Sequence, residues 1–395
     1  MPPNSARASS DEPFLLVEGD GLSRLQGHIG LGPSKGGVLA RRALIYTLVA
    51  WLPLVIASWL AGGERPHGTV DAETLLGHFG IHTRCLIAIP LLVLAEGIAQ
   101  KNLVLCLREF KRTGQVSADL SPRFDAIIAS AVRLKTRAFP WVIVGTLATA
   151  WTAAFLVSPN PDEVQWAGAT ANDMGFGAWW FLLVTRPIFC VLLLAWVWRL
   201  TLVGLLLSRI ARLPLKLVVM HPDRMGGLGF LDRLPMVYAP ILFSVSAVMA
   251  GAWAHNVFYH GVSVPSLYPQ VASLLLLLIL IGLGPLLVFT PMLARAKRDA
   301  LLNYGALLAK HGRLVDARWI RKETIAQSPL LDAPELGPVA DVHAMFHAVA
   351  AMHPVVISKS ILMKIALPAA LPLLILIATQ WPLKSTLSKL LFTLL

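Results

Sequence analysis

Residues 269–293, PQVASLLLLLILIGLGPLLVFTPML, decide the fold. The stretch carries no charged side chain, and as a helix it would extend roughly 37 Å at 1.5 Å per residue. That length covers the hydrocarbon core of a bilayer. A strand of a membrane barrel would alternate apolar and polar positions over about ten residues. Nothing here alternates. A helix also satisfies its own N–H and C=O groups, as hydrocarbon surroundings demand.

Six further stretches read the same way: 43–62, 84–106, 139–158, 178–200, 235–258 and 361–381. The whole chain of 395 residues is 56% hydrophobic and only 14% charged, against about 25% charged in an ordinary soluble domain. Its mean hydropathy is +0.67. The expected fold is all-α: a polytopic transmembrane helix bundle of about seven spans.

Lysine and arginine set the orientation. With a cytoplasmic N-terminus, the inner segments 1–42, 101–138, 199–234 and 294–360, the last extended to Lys364, hold 29 of the 34 Lys and Arg. Only Arg65, Arg84, Lys384 and Lys389 fall outside, and Arg186 lies within a span. The same asymmetry accounts for the net charge of +12. The chain therefore calls for anionic lipid headgroups as partners at its basic cytoplasmic helices, and not for nucleic acid. Homo-oligomerisation is left open. No short apolar region with a small-residue cleavage site precedes the first span, so that span reads as an uncleaved anchor.

This division gives a cytoplasmic segment 1–42 whose first dozen residues read as disordered. The bundle of six spans follows over 43–293, with inner loops 101–138 and 199–234. A cytoplasmic helical segment 294–360, a last transmembrane or re-entrant helix 361–381 and an interfacial helix 382–395 complete it. FLLVEGDGLSRLQGHIGL, residues 14–31, reads as lying on the membrane surface. SPRFDAIIASAVRLKTR, residues 121–137, reads as an amphipathic helix. Ser121 is its N-cap, Phe124, Ile127, Ile128, Ala131 and Val132 form its apolar face, and Arg133, Lys135 and Arg137 suit headgroups. The sixth span is expected to run on as helix past Arg295, with a stripe of Leu301, Leu308, Val315 and Trp319.

Charged groups inside spans are costly and mark function. Glu96 and Arg186 sit at similar depth and are expected to pair, either as a polar gate on a solute pathway or as a structural ion pair. Every span has a proline in it or at its edge, and the carbonyls these free can line a cavity. His343 and His347, four apart on one helical face, have a spacing that can suit a metal, and no third ligand is evident. Cys85, Cys106 and Cys190 are isolated and read as small buried hydrophobes. No metal and no cofactor is called for.

The most distinctive motif is HPDRMGGLGFL, residues 221–231. It fits neither a phosphate loop nor a dinucleotide fingerprint. It reads as a cytoplasmic turn in which Asp223 caps N–H groups and Gly226, Gly227 and Gly229 supply φ > 0 or close approach. Beside Arg224 such a turn is a candidate anion site, and His221 adds a titratable group.

With LSRLQGHIGL, AWLPLVI, CLIAIPLLVLAEGI, RPIFCVLLLAWVWRL, GPLLVFTPMLARAKRDALLNYGAL, RLVDARW and VADVHAMFHAV, this motif makes most of the chain resemble an uncharacterised family of bacterial polytopic inner-membrane proteins. The resemblance implies a multi-pass protein of the bacterial inner membrane and attaches no activity. That family's pattern usually lacks paired histidines after Ala340, which weighs against a metal there. The residues favour an ion or small-solute channel or transporter. The alternative is a membrane-embedded sensor, scaffold or assembly subunit. No catalytic set stands out, so the chain leans away from an enzyme; headgroup chemistry at His221, Asp223 and Arg224 is the third reading.

Overall fold

The computed structural model describes residues 16–17, 19–28, 37–62, 75–157, 166, 175–324 and 337–379. Among them there is no strand. Seven helices are long and apolar enough to cross a membrane: Val38–Leu60, Phe79–Arg112, Ala138–Val157, Phe176–Ile210, Gly229–Tyr259, Val264–Leu287 and Lys359–Ala378. All seven expected spans are present, and the protein is an all-α, multi-pass membrane protein.

In chain order the helices are α1 (Gly21–His28), α2 (Gly37–Gly62), α3 (Phe79–Arg112), α4 (Ser121–Thr136), α5 (Ala138–Val157), α6 (Phe176–Ile210), α7 (Pro235–Tyr259), α8 (Tyr268–Leu287), α9 (Thr290–Val315), α10 (Gly337–Ala350) and α11 (Lys359–Ala378). The core lies around α7, which packs chiefly on α11 and α3. Helix α2 lies against α3, and α4 and α5 lie against α6. Close approach of α3 and α7 depends on Gly251, where an added Cβ would meet the Phe79 carbonyl at 3.0 Å.

Helices α3 and α6 run well past the expected ends, to 34 and 35 residues. Their polar ends stay helical because the backbone pairs internally whatever the side chains. Each contains a π-turn, Thr83–Ala88 and Phe181–Thr185. The amides of Ile89 and Arg186 donate to the carbonyls of Arg84 and Phe181, five residues back. Pro90 and Pro187 follow directly. A proline has no N–H to give and collides with the carbonyl four residues earlier; a widened turn accommodates it. In α2, Pro53 leaves the Val49 carbonyl without its helical donor, and Trp180 Nε1–H donates to it at 3.0 Å. That freed carbonyl ties two spans together rather than lining a cavity.

Three local expectations are corrected. Helix α4 is capped by Leu120, so Ser121 and Pro122 are its first residues, and Lys135 is buried at 3% exposure rather than set out towards headgroups. The sixth span does not continue unbroken: α8 ends at Leu287 and α9 starts at Thr290, with Pro285 and Pro291 flanking the break. The segment before the first span is not laid on a surface, because Leu16, Val17 and Leu22 are buried in the main core. Helix α11 has the length and composition of a full span, with Ser358 Oγ capping it by accepting from the Ile361 amide at 3.1 Å. The expected tail helix 382–395 and the first dozen residues lie outside the described residues.

Candidate functional site

The charge expected inside the bundle is there, with different partners. Glu96 is 2% exposed and Arg199 0%. Arg199 Nη1 donates to Glu96 Oε1 at 2.8 Å, while Arg42 Nη2 pairs with Glu96 Oε2. Arg199 also turns its Nε and Nη2 onto Asp20 Oδ2, at 3.0 and 2.8 Å. Asp20, Arg42, Glu96 and Arg199 thus form one network of two carboxylates and two guanidiniums, drawn from α2, α3, α6 and the N-terminal segment. Its formal charge sums to zero, as burial requires: an unpaired ion in low dielectric costs several kcal/mol.

Local structure explains how Asp20 reaches so deep. It is the N-cap of α1, accepting from the Ser23 amide at 2.7 Å. Its own carbonyl takes the Ser23 hydroxyl at 3.0 Å and the Arg24 amide at 3.0 Å. One carboxylate oxygen serves the helix and the other serves Arg199. Gln26 Nε2 donates to the Tyr46 hydroxyl at 3.0 Å, and the Leu16 amide donates to Gln100 Oε1. Segment 16–28 is therefore stitched to α2 and α3 by side chains as well as to α6 by charge. Below the network, Trp196 Nε1–H donates to the Leu92 carbonyl at 2.8 Å, and the Arg199 guanidinium lies 5.2 Å from the Trp196 ring.

The expected Glu96–Arg186 pair is not formed. Arg186 lies over the Phe155 ring, and Phe181 lies between Arg186 and Arg84, 5.9 and 5.5 Å from their guanidinium carbons. Aromatic faces attract cations. Similar depth in two spans did not mean adjacency, because the two side chains face different neighbours.

At the opposite end of the bundle, histidines the sequence reading did not single out hold the turn Leu75–Gly77. His82 Nδ1 accepts from Trp51 Nε1–H at 3.0 Å, and its Nε2 lies 3.0 Å from the Leu75 carbonyl. A carbonyl only accepts, so His82 carries its hydrogen on Nε2. By the same logic His255 Nδ1 donates to the Gly77 carbonyl at 2.8 Å, and its Nε2 lies 3.3 Å from His260 Nε2. His78 stacks on His255 with ring centroids 4.5 Å apart.

HPDRMGGLGFL is a turn built around Asp223. Its carboxylate accepts from the amides of Met225 at 2.8 Å, Gly227 at 3.2 Å and Gly229 at 2.7 Å. His221 Nδ1 lies 3.0 Å from Asp223 Oδ1. The row of N–H groups considered as an anion nest is thus taken by the chain's own carboxylate. Arg224, Gly226 and Gly227 have φ of 56, 67 and 87°. At Gly227 a Cβ would run into Gln115 Nε2, which instead donates to the Gly226 carbonyl at 3.1 Å. Gly229 has no positive φ; it is glycine because Asp223 Cβ and Oδ2 each come within 3.0 Å of where its Cβ would be. The Arg224 carbonyl accepts from the His353 amide at 2.7 Å. The turn therefore joins the ends of α3, α6, α10 and α11. Just beyond it, Asp232 pairs with Lys364 of α11.

His343 and His347 place their Nε2 atoms 2.9 Å apart on α10. Among the described residues no group of three or more His, Cys, Asp or Glu is placed to hold a metal ion. Cys85, Cys106 and Cys190 are buried and unpaired.

The class these features define is a multi-pass helical membrane protein with a neutral charge network inside its bundle. No family model, curated protein or solved structure matches the chain.

Proposed function

We propose that the chain is an ion or small-solute conduit, closed at its Lys/Arg-rich, cytoplasmic end by segment 16–28. The observation that carries this is the two-point contact of Arg199 with Asp20, set beside Glu96 and Arg42. A bundle that needed only packing would be as well served by apolar side chains, since a buried ion pair is poor at adding stability. Asp20 belongs to no span. Its withdrawal would leave every span in place and open Glu96, Arg42 and Arg199 to water, a polar lining of both signs. The resemblance carried by HPDRMGGLGFL, and with it a bacterial inner membrane, belongs to the same proposal.

A sensor or scaffold role is the second reading, favoured by Leu302, Trp319 and Ile320, which are 67, 69 and 74% exposed on and just beyond α9. Flux separates the two. The protein is reconstituted into liposomes and assayed for K⁺, Cl⁻ and proton movement and for release of a small neutral dye. The conduit reading expects Asp20→Asn to raise at least one flux over the unsubstituted protein. No flux above empty liposomes in either protein overturns it and leaves the scaffold reading.

A further inference from the structure

The segment after α6 carries a feature that the charge network does not use. From Ala211 to Val219 the side chains alternate. Leu213, Leu215, Leu217 and Val219 pack against the core, while Arg212, Pro214, Lys216 and Val218 face outwards. This period of two is that of extended chain. It is fixed by the Lys216 amide donating to the Gln115 carbonyl at 2.9 Å and the Val218 amide donating to the Gly226 carbonyl at 3.0 Å. An extended chain laid across the end of a span thus presents cations and apolar groups in turn.

Against this segment lies the first turn of α9. Between them is a pocket of about 470 Å³, lined by Arg212, Leu213, Pro214, Leu217, Met292 and Arg295 among others, with no carboxylate in its lining. Among the described residues neither Arg212 nor Arg295 forms an ion pair; Arg295 gives its Nε to the Pro291 carbonyl at 3.1 Å. That bond holds the side chain while leaving its terminal nitrogens for another acceptor. The next cations along α9 are engaged elsewhere: Lys297 donates to the Met352 carbonyl at 2.8 Å, and Arg298 lies beside Asp299.

We propose that this pocket binds the phosphate of an anionic membrane phospholipid, with Arg212 and Arg295 clamping the phosphate and Leu213, Pro214 and Met292 receiving the adjoining glycerol and acyl carbons. A guanidinium fork matches phosphate geometry. Location selects the lipid source over a soluble phosphate. The pocket lies where α6 ends and where α8 gives way to α9, the level of the headgroups at the basic end of the bundle. Its apolar wall has no use for a fully hydrated anion. The cytoplasmic leaflet is the one rich in anionic lipid. This site does not depend on the conduit reading.

The test uses the full-length protein purified in mild detergent and measured by native mass spectrometry and thermal unfolding. Added probes are phosphatidylglycerol, phosphatidylcholine and inorganic phosphate. The site predicts one phosphatidylglycerol retained in preference to phosphatidylcholine, and a rise in unfolding temperature with phosphatidylglycerol but not with inorganic phosphate. Arg212→Gln with Arg295→Gln should weaken that retention by about tenfold or more, while Arg298→Gln leaves it unchanged. All three side chains are exposed, so folding is not at stake, and matching elution volumes check this. Retention unchanged in the double variant overturns the site. So does an equal loss in Arg298→Gln, which would mean a diffuse charge effect, or equal protection by inorganic phosphate, which would mean a soluble ligand.

Discussion

The two ends of the bundle solve the same problem in different ways. Each must hold polar groups inside apolar surroundings. At the basic end, Asp20, Arg42, Glu96 and Arg199 are full charges, mutually neutralised and at most 2% exposed. At the other end, His82 and His255 turn ring nitrogens onto backbone carbonyls, and Arg84 and Arg186 lie against phenylalanines. Removing one member of a ring–carbonyl hydrogen bond leaves one unpaired polar group but no uncompensated charge. Removing one ion from a closed network leaves its partner's charge uncompensated. The difference teaches where a small change in occupancy, such as the departure of Asp20, can have a large effect.

The largest expected effect is therefore at Arg199. Arg199→Leu leaves Asp20 and Glu96 with only Arg42 between them and should destabilise by about 3–5 kcal/mol. The readout is unfolding by denaturant in detergent micelles. Adding Asp20→Asn to Arg199→Leu should recover much of the loss, because Glu96 and Arg42 then remain as a neutral pair. A double variant no better than the single one would break the comparison, since it would mean that packing, not charge, dominates.

A smaller effect belongs to the other end. His255→Ala removes the donor to the Gly77 carbonyl and the ring stacked on His78, and should cost about 1–3 kcal/mol. The same unfolding assay checks it. A loss as large as that of Arg199→Leu would show the histidine end to be as tightly coupled as the charged one.

The sequence displayed the spans plainly because each is an apolar run of membrane length, and nothing in a bilayer competes with a helix over such a run. It displayed Glu96 as well, since a carboxylate amid IPLLVLAEGIAQ calls for a cationic partner whether its role is structural or functional. It did not display the partners. Arg42 and Arg199 stand towards the Lys/Arg-rich ends of their spans, where charge bias alone explains a cation, and Asp20 lies outside every span. The Asp20–Arg199 contact joins residues 179 apart in sequence. Such a pairing is set by which faces of α3 and α6 turn inwards, and the spans' nearly uniform apolarity hides that.

Asp223 shows the reverse case. Its neighbours in sequence are its partners in space, so its role as a cap could be read from spacing. What spacing could not reveal is that the carboxylate engages three amides and leaves no place for an outside anion. The histidines that hold the turn at 75–77 are scattered from 78 to 260 and became a group only through folding.

The central claim is that Asp20 keeps segment 16–28 inside the bundle. Leu22 is 8% exposed on that segment, and the three native cysteines are buried. Leu22→Cys therefore gives a thiol whose reaction with a membrane-impermeant maleimide reports withdrawal of the segment. The account predicts slow labelling with Asp20 present and labelling at least about tenfold faster with Asp20→Asn, the factor for loss of one charge-assisted contact. Equal rates in the two backgrounds would contradict it.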